Sequence, residues 1–405
     1  MTPEVKERIE QIRHGNVPEG YKKTKSGIVP EDWTEYTIGE CLERVERPVD
    51  VQADEMYTQI GIRSHGKGLF YKEPVTGASL GNKAVFWIEP NCFVLNIVFA
   101  WEQAVSKTTQ NEAGMIGSHR FPMYRPIEGR VDVDYLITYM LTKRGKDILE
   151  AASPGGAGRN RTLGQDRFLK SKIILPSSDE QRRIAEVIMT QDKVIELKEK
   201  RLAEKERQKK YLMQQLLTGK KYLTVEGKGR RKYSFSDVFT TISSKAYQIQ
   251  SSEYLHEGKY PVVDQGKRKI AGFYNDEQKV LKCPSKGVVV FGDHTRELKF
   301  VDFDFIVGAD GTQLLSSSTE SVLTKYLYYL LCNKTIPNDG YSRHFKYLKE
   351  FIYLVPCEEE QAYVVKVLSS IDREIELLLQ DLEQEKQKKK ALMQLLLTGI
   401  VRVNA

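Results

Sequence analysis

The segment that decides the fold begins at Gln181-Arg182-Arg183-Ile184 and ends at Tyr211-Leu212-Met213-Gln214-Gln215-Leu216-Leu217-Thr218-Gly219. A second segment, 180 residues further along the chain, begins at Gln361-Ala362-Tyr363-Val364 and ends at Ala391-Leu392-Met393-Gln394-Leu395-Leu396-Leu397-Thr398-Gly399. The two segments align without a gap, whereas the blocks that precede them are much less alike. A repeat of this length indicates a duplicated unit. The chain therefore predicts two different modules held at a fixed separation by a duplicated spacer.

Both segments carry apolar residues at the alternating four- and three-residue spacing of a coiled-coil seam, and each is long enough for a helix of about 55 Å. The seam becomes polar in its third quarter, at Lys205, Lys209, Glu385 and Lys389. Such a seam is typical of a dimerisation coiled coil, but two copies in one chain also favour an internal, antiparallel pair. The predicted helix-pairing residues are Ile184, Ile188, Ile195, Leu202, Leu212, Leu216, Val364, Leu368, Ile371, Ile375, Leu378, Leu382, Leu392 and Leu396.

The composition is that of an ordinary globular protein, with 405 residues, 40% apolar and 29% charged. This length allows two or three domains, each with its own core. A net charge of +7 fits a polyanionic partner without requiring one. The five cysteines are scattered and form no Cys-x-x-Cys pair, so neither a disulfide framework nor a zinc site is indicated. With no signal peptide and no apolar stretch of membrane-spanning length, we expect a cytoplasmic protein.

The predicted fold class is α+β, with two mixed α/β modules separated by two long antiparallel coiled-coil helices and related by an internal pseudo-twofold repeat. A short helix is predicted at residues 3–13, another at 133–141, and strands at 288–291 and 300–307. The predicted divisions are an N-terminal arm (1–30), the first module (31–180), the first long helix (181–219), a basic linker (220–232), the second module (233–358), the second long helix (359–399) and a C-terminal tail (400–405).

This order of module, helix, module and helix resembles the specificity subunit of Type I restriction–modification systems. The resemblance is carried by a Pro-x-x-x-Glu-Gln motif between each module and its long helix. The two copies are Pro176 with Glu180-Gln181 and Pro356 with Glu360-Gln361. It is also carried by the helix ends Leu-Met-Gln-x-Leu-Leu-Thr-Gly and by the lead-in Ser26-Gly27-Ile28-Val29-Pro30-Glu31-Asp32-Trp33.

The resemblance implies that each module is a target-recognition domain that reads one half of a bipartite double-stranded DNA site. It implies that the helices set the gap and dock two methyltransferase subunits, with restriction/translocase subunits completing the enzyme. The partner subunits would then carry out catalysis, in which the methylated base is usually adenine. S-adenosylmethionine, ATP and Mg²⁺ would be bound by these partners. The chain agrees in lacking an amino-methyltransferase Asn-Pro-Pro-Tyr motif and a phosphate-binding loop. We expect no catalytic residue, no bound cofactor and no metal ligand in this chain.

The candidate DNA-binding residues lie in basic clusters, most of them accompanied by glycine. Arginine can contact guanine bidentately, whereas lysine contributes mainly attraction to phosphate. The candidates are Arg63, His65, Lys67, His119, Arg120, Arg159 and Arg161 in the first module, and Lys267, Arg268, Lys269, His294, Arg296, Tyr341, Arg343, His344 and Lys346 in the second.

Other interpretations of the basic clusters and of the module–helix plan remain open. Each basic cluster also fits a solvated loop, because exposed lysine and arginine are the norm. The whole plan also fits a coiled-coil scaffold whose modules bind peptides or other subunits. A nuclease that uses Asp293 and its neighbours is a third hypothesis, although no base or nucleophile accompanies this residue in the sequence.

Overall fold

The computed structural model describes residues 2–25, 27–81, 83–155, 161–219, 229–340 and 342–403. Most of the predicted basic linker, residues 220–228, lies outside this described part. The chain divides into two compact units. The first unit comprises Met1–Leu197 with Leu382–Ala405, and the second comprises Lys198–Asp381. Each of the two long helices therefore contributes one part to each unit.

The fold is mixed α/β, as predicted, and includes two helices of 40 and 39 residues. The short helices predicted near residues 3–13 and 133–141 are confirmed. The helices are α1 (Pro3–Arg13), α2 (Gly77–Leu80), α3 (Val133–Met140), α4 (Lys143–Ala151), α5 (Gln165–Leu169), α6 (Ser178–Leu217), α7 (Phe235–Val238), α8 (Thr324–Cys332), α9 (Phe345–Glu350) and α10 (Glu358–Leu396).

The first unit contains one four-stranded antiparallel sheet, in the order β11-β10-β13-β4, and several two-stranded pairs. The helices α3 and α5 and the start of α6 pack with this sheet in one hydrophobic core. The strands of the first unit are β1 (Tyr21–Thr24), β2 (Gly27–Pro30), β3 (Thr34–Thr37), β4 (Leu42–Val45), β5 (Met56–Tyr57), β6 (Ile60–Ile62), β7 (Leu69–Tyr71), β8 (Val75–Thr76), β9 (Val85–Trp87), β10 (Phe93–Leu95), β11 (Val105–Lys107), β12 (Ile116–Ser118), β13 (Met123–Pro126) and β14 (Lys172–Leu175).

The second unit contains two four-stranded sheets, one antiparallel (β16-β23-β20-β21) and one mixed (β17-β22-β18-β19). A run of β-branched residues forms the fully buried centre of β20, as the sequence predicts. The strands of the second unit are β15 (Arg231–Tyr233), β16 (Phe239–Ile242), β17 (Gln248–Ile249), β18 (Tyr260–Val263), β19 (Gly272–Tyr274), β20 (Val288–Gly292), β21 (Leu298–Val301), β22 (Ile306–Gly308), β23 (Thr312–Ser317) and β24 (Tyr353–Val355).

The prediction of one strand over residues 300–307 is wrong. The segment forms the end of β21 and the start of β22, which belong to different sheets. Between them, a carboxylate oxygen of Asp304 accepts a hydrogen bond from the N–H of Cys283 at 2.9 Å. This contact lies where the chain passes from one sheet to the other, and apolar patterning alone does not reveal such a turn.

Within the first unit, the beginning of α6 pairs with the end of α10 in antiparallel orientation. The amide Nε2 of Gln191 donates to a carboxylate oxygen of Glu385 at 2.6 Å. The ammonium of Lys389 lies 2.5 Å from a carboxylate oxygen of Asp192. Polar seam residues of one helix are thus matched by oppositely charged or hydrogen-bonding residues of the other.

Within the second unit, the end of α6 pairs with the beginning of α10 in the same orientation. Lys198 contacts Asp381 at 2.7 Å, and Lys205 contacts Glu374 at 2.6 Å. The repeat-equivalent of the Lys389–Asp192 pair is Lys209–Asp372, whose charged atoms are 2.6 Å apart. None of the predicted helix-pairing residues is exposed, and all of them lie in the described part of the chain.

The duplicated glutamine at the start of each long helix fastens that helix to its own module. The buried amide of Gln181 accepts from the N–H of Asp132 at 2.9 Å and donates to the carbonyl oxygens of Arg130 and Pro176. Its equivalent in the second unit makes the same three kinds of bond: Gln361 accepts from Leu323 and donates to Ser321 and Pro356.

The glutamate beside each of these glutamines is buried in an ion pair. In the first unit Glu180 receives two 2.7 Å hydrogen bonds from Arg402, which follows α10. Arg402 also binds Asp32, and this contact lowers the pKa of that carboxyl. In the second unit the partner of Glu360 is Arg230, which follows α6, at 2.7 Å. Each helix start is therefore tied to the chain that leaves the other helix.

Candidate nucleic-acid interface

In the first unit, the hairpin loop that joins β6 to β7 is attached to residues 97–103. The N–H of His65 donates to the carbonyl oxygen of Glu102 at 2.8 Å. The N–H of Gly66 donates to the carbonyl oxygen of Gln103 at 3.0 Å. These bonds fix the backbone of the loop, while its basic side chains remain exposed.

The other two clusters of the first unit meet at the same segment. The N–H of Ile97 donates to the carbonyl oxygen of Arg120 at 3.0 Å, and its carbonyl accepts from Leu163 at 2.8 Å. The guanidinium carbon of Arg161 lies 5.6 Å from the centre of the Trp101 ring, within the range of a cation–π contact. The structure thus brings the described parts of all three predicted clusters together.

In the second unit, Asp293 is the anchor of the candidate interface and is only 2% exposed. Its N–H donates to the carbonyl oxygen of Gly311 at 2.7 Å, and its carbonyl oxygen accepts from the N–H of His344 at 2.9 Å. Its carboxylate accepts from the N–H of Phe345 at 2.7 Å. The loop between β20 and β21 is thereby joined to the start of α9.

Gln265 attaches the third cluster of the second unit to the same loop. Its carbonyl oxygen accepts from the hydroxyl of Thr295 at 2.6 Å, and its side-chain oxygen accepts from the N–H of His294 at 3.3 Å. Its side-chain nitrogen donates to the carbonyl oxygen of Asp310 at 2.9 Å. Gln265 begins one of the predicted basic clusters, and Asp293 is named only in the nuclease hypothesis. Neither is among the predicted DNA-binding residues, because an anchoring role depends on contacts between distant loops.

The prediction that His344 contacts DNA requires correction. The side chain is fully buried, and its Nδ1 lies 2.8 Å from the carbonyl oxygen of Asp293. Because that oxygen can only accept, Nδ1 carries the proton, and Nε2 is left to accept from the N–H of Asp339 at 3.4 Å. His344 therefore holds the loop in place and presents no free edge to a ligand.

The remaining candidates differ in exposure. Arg161, His294 and Arg296 are half-buried, whereas Arg159 and Tyr341 lie outside the described residues. The guanidinium of Arg296 donates to the carbonyl oxygen of Ile336 at 3.4 Å. The exposed candidates are Arg63, His65, Lys67, His119, Arg120, Lys267, Arg268, Lys269, Arg343 and Lys346.

Backbone strain is concentrated in these loops. Five non-glycine residues of the described chain have positive φ, and four of them lie in or against the candidate loops. They are His65 and Gln103 in the first unit and Arg296 and Asp310 in the second. Such conformations persist only where surrounding contacts enforce them, and they are frequent at binding sites. The loops are therefore held in defined shapes.

A buried lysine lies beside the candidate interface of the second unit. Lys299 is 7% exposed and donates to the carbonyl oxygen of Asp264 at 2.8 Å. Burial lowers its pKa, an effect opposed by the neighbouring Asp264 carboxylate.

Across the described residues, no group of three or more His, Cys, Asp or Glu side chains is arranged to hold a metal ion. No described helix combines the length and the apolar character needed to span a bilayer.

Comparison with known proteins gives a consistent result. Residues 30–207 match the family model described as the Type I restriction modification DNA specificity domain. Over 426 aligned residues the chain is 24% identical to the putative type I restriction enzyme MjaX specificity subunit of Methanocaldococcus jannaschii. That alignment covers 95% of this chain and 97% of the relative.

Solved structures share the fold at low sequence identity. The S subunit of a Type I restriction–modification system from M. genitalium has a TM-score of 0.61 at 13% identity, covering 92% of this chain and 96% of that chain. A chain from a structure on complex assembly and conformational transition of the type I R-M system has a TM-score of 0.56 at 17% identity, covering 92% and 99%. The mixed α/β fold with two long helices is thus common to these proteins.

Proposed function

Because the chain belongs to the family of Type I restriction–modification specificity subunits, we propose that it recognises a bipartite DNA sequence, one half with each module. The exposed basic residues of the first module contact one half-site, and those of the second module contact the other. The chain itself performs no chemistry. Methyltransferase subunits, with nuclease/translocase subunits in the complete enzyme, supply S-adenosylmethionine, ATP and Mg²⁺.

The observation that carries this proposal is the convergence of the basic clusters within each unit. Loops that are far apart in sequence meet at residues 97–103 in the first unit and at Asp293 in the second. Base readout requires side chains held in a fixed arrangement, because bidentate contacts tolerate little displacement. Solvated basic loops have no need of such an internal anchor.

The docking of partner subunits is supported by exposed apolar residues on the long helices. Leu197 in the first unit is 56% exposed, and its repeat-equivalent Leu377 in the second unit is 55% exposed. Equivalent apolar positions in the two units fit two copies of the same partner. We propose that each copy is a methyltransferase subunit that binds one of these helix surfaces.

The proposal is tested by selecting DNA with the chain in complex with its methyltransferase subunits. Random duplexes that remain bound at moderate salt should share two short fixed sequences separated by an unspecified spacer of constant length. Replacement of residues 233–358 by the corresponding module of a relative should change one fixed sequence and leave the other intact.

A coiled-coil scaffold with peptide-binding modules predicts a different result. Its attraction to DNA would come from net charge alone, would lack sequence preference and would disappear as salt rises. Selection that yields no shared sequence, together with stable capture of protein partners by the modules, would replace the proposed function with this alternative.

A further inference from the structure

A cavity of about 760 Å³ lies in the second unit between the recognition module and the long helix α10. Its lining includes Lys267 and Lys269 from the loop between β18 and β19, and Lys325 from α8. The helix α10 adds Lys366 and Arg373. Loop, module and spacer helix thus contribute positive charge to one concave surface.

These five cations differ from the other basic residues of the helix pair. In the described part of the chain, none of the five has a carboxylate within ion-pairing distance. By contrast, the lysines along the seam, such as Lys198, Lys205 and Lys209, each contact a carboxylate of α10 within 2.7 Å. The cations of the cavity are therefore available to an external anion.

Aromatic side chains hold two of the cavity's ammonium groups without neutralising them. The Nζ of Lys325 lies 4.9 Å from the centre of the Phe300 ring, and that of Lys269 lies 5.5 Å from the centre of the Phe303 ring. A cation over an aromatic face keeps its charge and its remaining donors.

The acidic residues that line the same cavity leave its positive charge in excess. Asp372 is already matched by Lys209 and by the hydroxyl of Tyr329, at 2.6 and 2.7 Å. The other two carboxylates, Asp302 and Glu376, are exposed to solvent. Six lining residues are cationic, including the buried Lys299, against three acidic ones.

We propose that this cavity seats the DNA backbone beside the second half-site, with Lys366 and Arg373 of α10 in direct contact with phosphate. The inference rests on the proposed function, because Lys267 and Lys269 belong to a loop that would contact DNA. Their continuity with the helix cations favours a nucleic-acid phosphate over an acidic protein surface. The spacer helix then binds DNA as well as joining the modules.

The test uses the full chain in complex with its methyltransferase subunits and a duplex that carries the selected site. The variant is Lys366→Gln combined with Arg373→Gln, since glutamine is similar to both residues in helix propensity. The logarithm of the affinity falls as the logarithm of the salt concentration rises, and each lost phosphate contact makes this negative slope less steep by about 0.9. Between 50 and 200 mM salt, the variant should therefore lose about twelvefold less affinity than the unaltered complex. The preference among half-site sequences should not change, because phosphate contacts carry no sequence information.

The matched control is Arg201→Gln combined with Arg207→Gln. These arginines are exposed on α6 in the same unit and do not line the cavity. The control removes the same net charge and should leave the slope unchanged.

Equal slopes for the Lys366/Arg373 variant and the unaltered complex would overturn the inference. Loss of the methyltransferase subunits, with an unchanged slope in the complexes that still form, would also overturn it and would identify the cavity as a protein interface.

Failure of the proposed function gives a distinguishable result. If the unaltered complex prefers no bipartite sequence, the proposed function fails, whatever the slopes. If it prefers one and the slopes coincide, only the phosphate contact of α10 is refuted.

Discussion

At the scale of single residues, the clearest feature is that repeat-equivalent polar residues make the same hydrogen bonds in both units. The buried amides of Gln181 and Gln361 each join the start of a long helix to the backbone of the adjacent module. Glutamine suits this place because its side chain accepts and donates at once. Alanine would remove these bonds, including those to the buried carbonyl oxygens of Pro176 and Pro356.

Gln361→Ala is expected to destabilise the second unit. The buried carbonyl oxygen of Pro356 would lose its hydrogen bond from the Gln361 amide, which by itself costs about 1–3 kcal/mol. The free energy of unfolding from urea denaturation measures the effect. Gln380→Ala, at an exposed position of the same helix, is the control and should change this free energy by less than about 0.5 kcal/mol. Equal effects of the two substitutions would contradict the assigned role.

Arg343→Ala is expected to weaken recognition of one half-site only. Arg343 is exposed next to the anchored His344, and a bidentate contact with a base would contribute about 1–3 kcal/mol of discrimination. Binding to duplexes changed one base pair at a time measures this loss. Lys349→Ala, exposed on α9 but outside the predicted clusters, is the control. A uniform loss across all duplexes would instead assign Arg343 to phosphate. Arg268→Ala is expected to behave in the same way if Arg268 contacts a base.

At the scale of elements, the polar stretch of the helix seam is explained by pairing. Sequence patterning showed that both seams become polar before their ends, which weakens a coiled coil when no partner is specified. In the structure these residues match across the pair in each unit, as Lys389 does with Asp192 and Lys209 with Asp372. Charged seam residues of this kind specify register and orientation.

A double-mutant cycle on Lys209 and Asp372 should reveal their coupling. Their side chains are 25% and 32% exposed, so we expect a coupling energy of about 0.5–1 kcal/mol in the free energy of unfolding. The cycle subtracts the separate bond between Asp372 and Tyr329, which both variants of Asp372 lack. The exposed Arg13–Glu10 pair is the comparison and should give about 0.3 kcal/mol. No coupling between Lys209 and Asp372 would refute the role of this pair in setting the register of the two helices.

At the scale of the whole molecule, the chain repeats a plan of one module followed by one long helix. The module cores are different in sequence and sheet arrangement, whereas the helix starts, helix ends and their fastenings are alike. This division is expected if the modules vary with the DNA sequence they read while the spacer and the partner surfaces stay constant.

Shortening both helices should change the spacer between half-sites. Residues 199–205 of α6 face residues 374–380 of α10, since Lys205 pairs with Glu374. Deleting both heptads removes about 10 Å of helix and keeps the seam in phase. At 3.4 Å per base step, the preferred spacer should change by about three base pairs while both half-site sequences persist. Selection from random duplexes measures the spacer, and an unaltered spacer would refute the ruler function of the helices.

The sequence by itself determined the duplicated helices, their seams, the predicted helix α3 and the family resemblance. These features depend on local periodicity and on repetition within the chain, and both can be recognised from the amino-acid sequence. The sequence also located the basic clusters, because neighbouring basic residues in glycine-containing segments can be recognised from their order along the chain.

Only the tertiary structure decided which of those clusters meet and which residues hold them. It buried His344, made Asp293 and Gln265 the anchors of the candidate loops in the second unit, and divided residues 300–307 between two sheets. It also placed Lys366 and Arg373 beside the loop of Lys267. The physical reason is that these roles arise from hydrogen bonds and burial between segments far apart in the chain, and a pattern of neighbouring residues carries no record of such contacts.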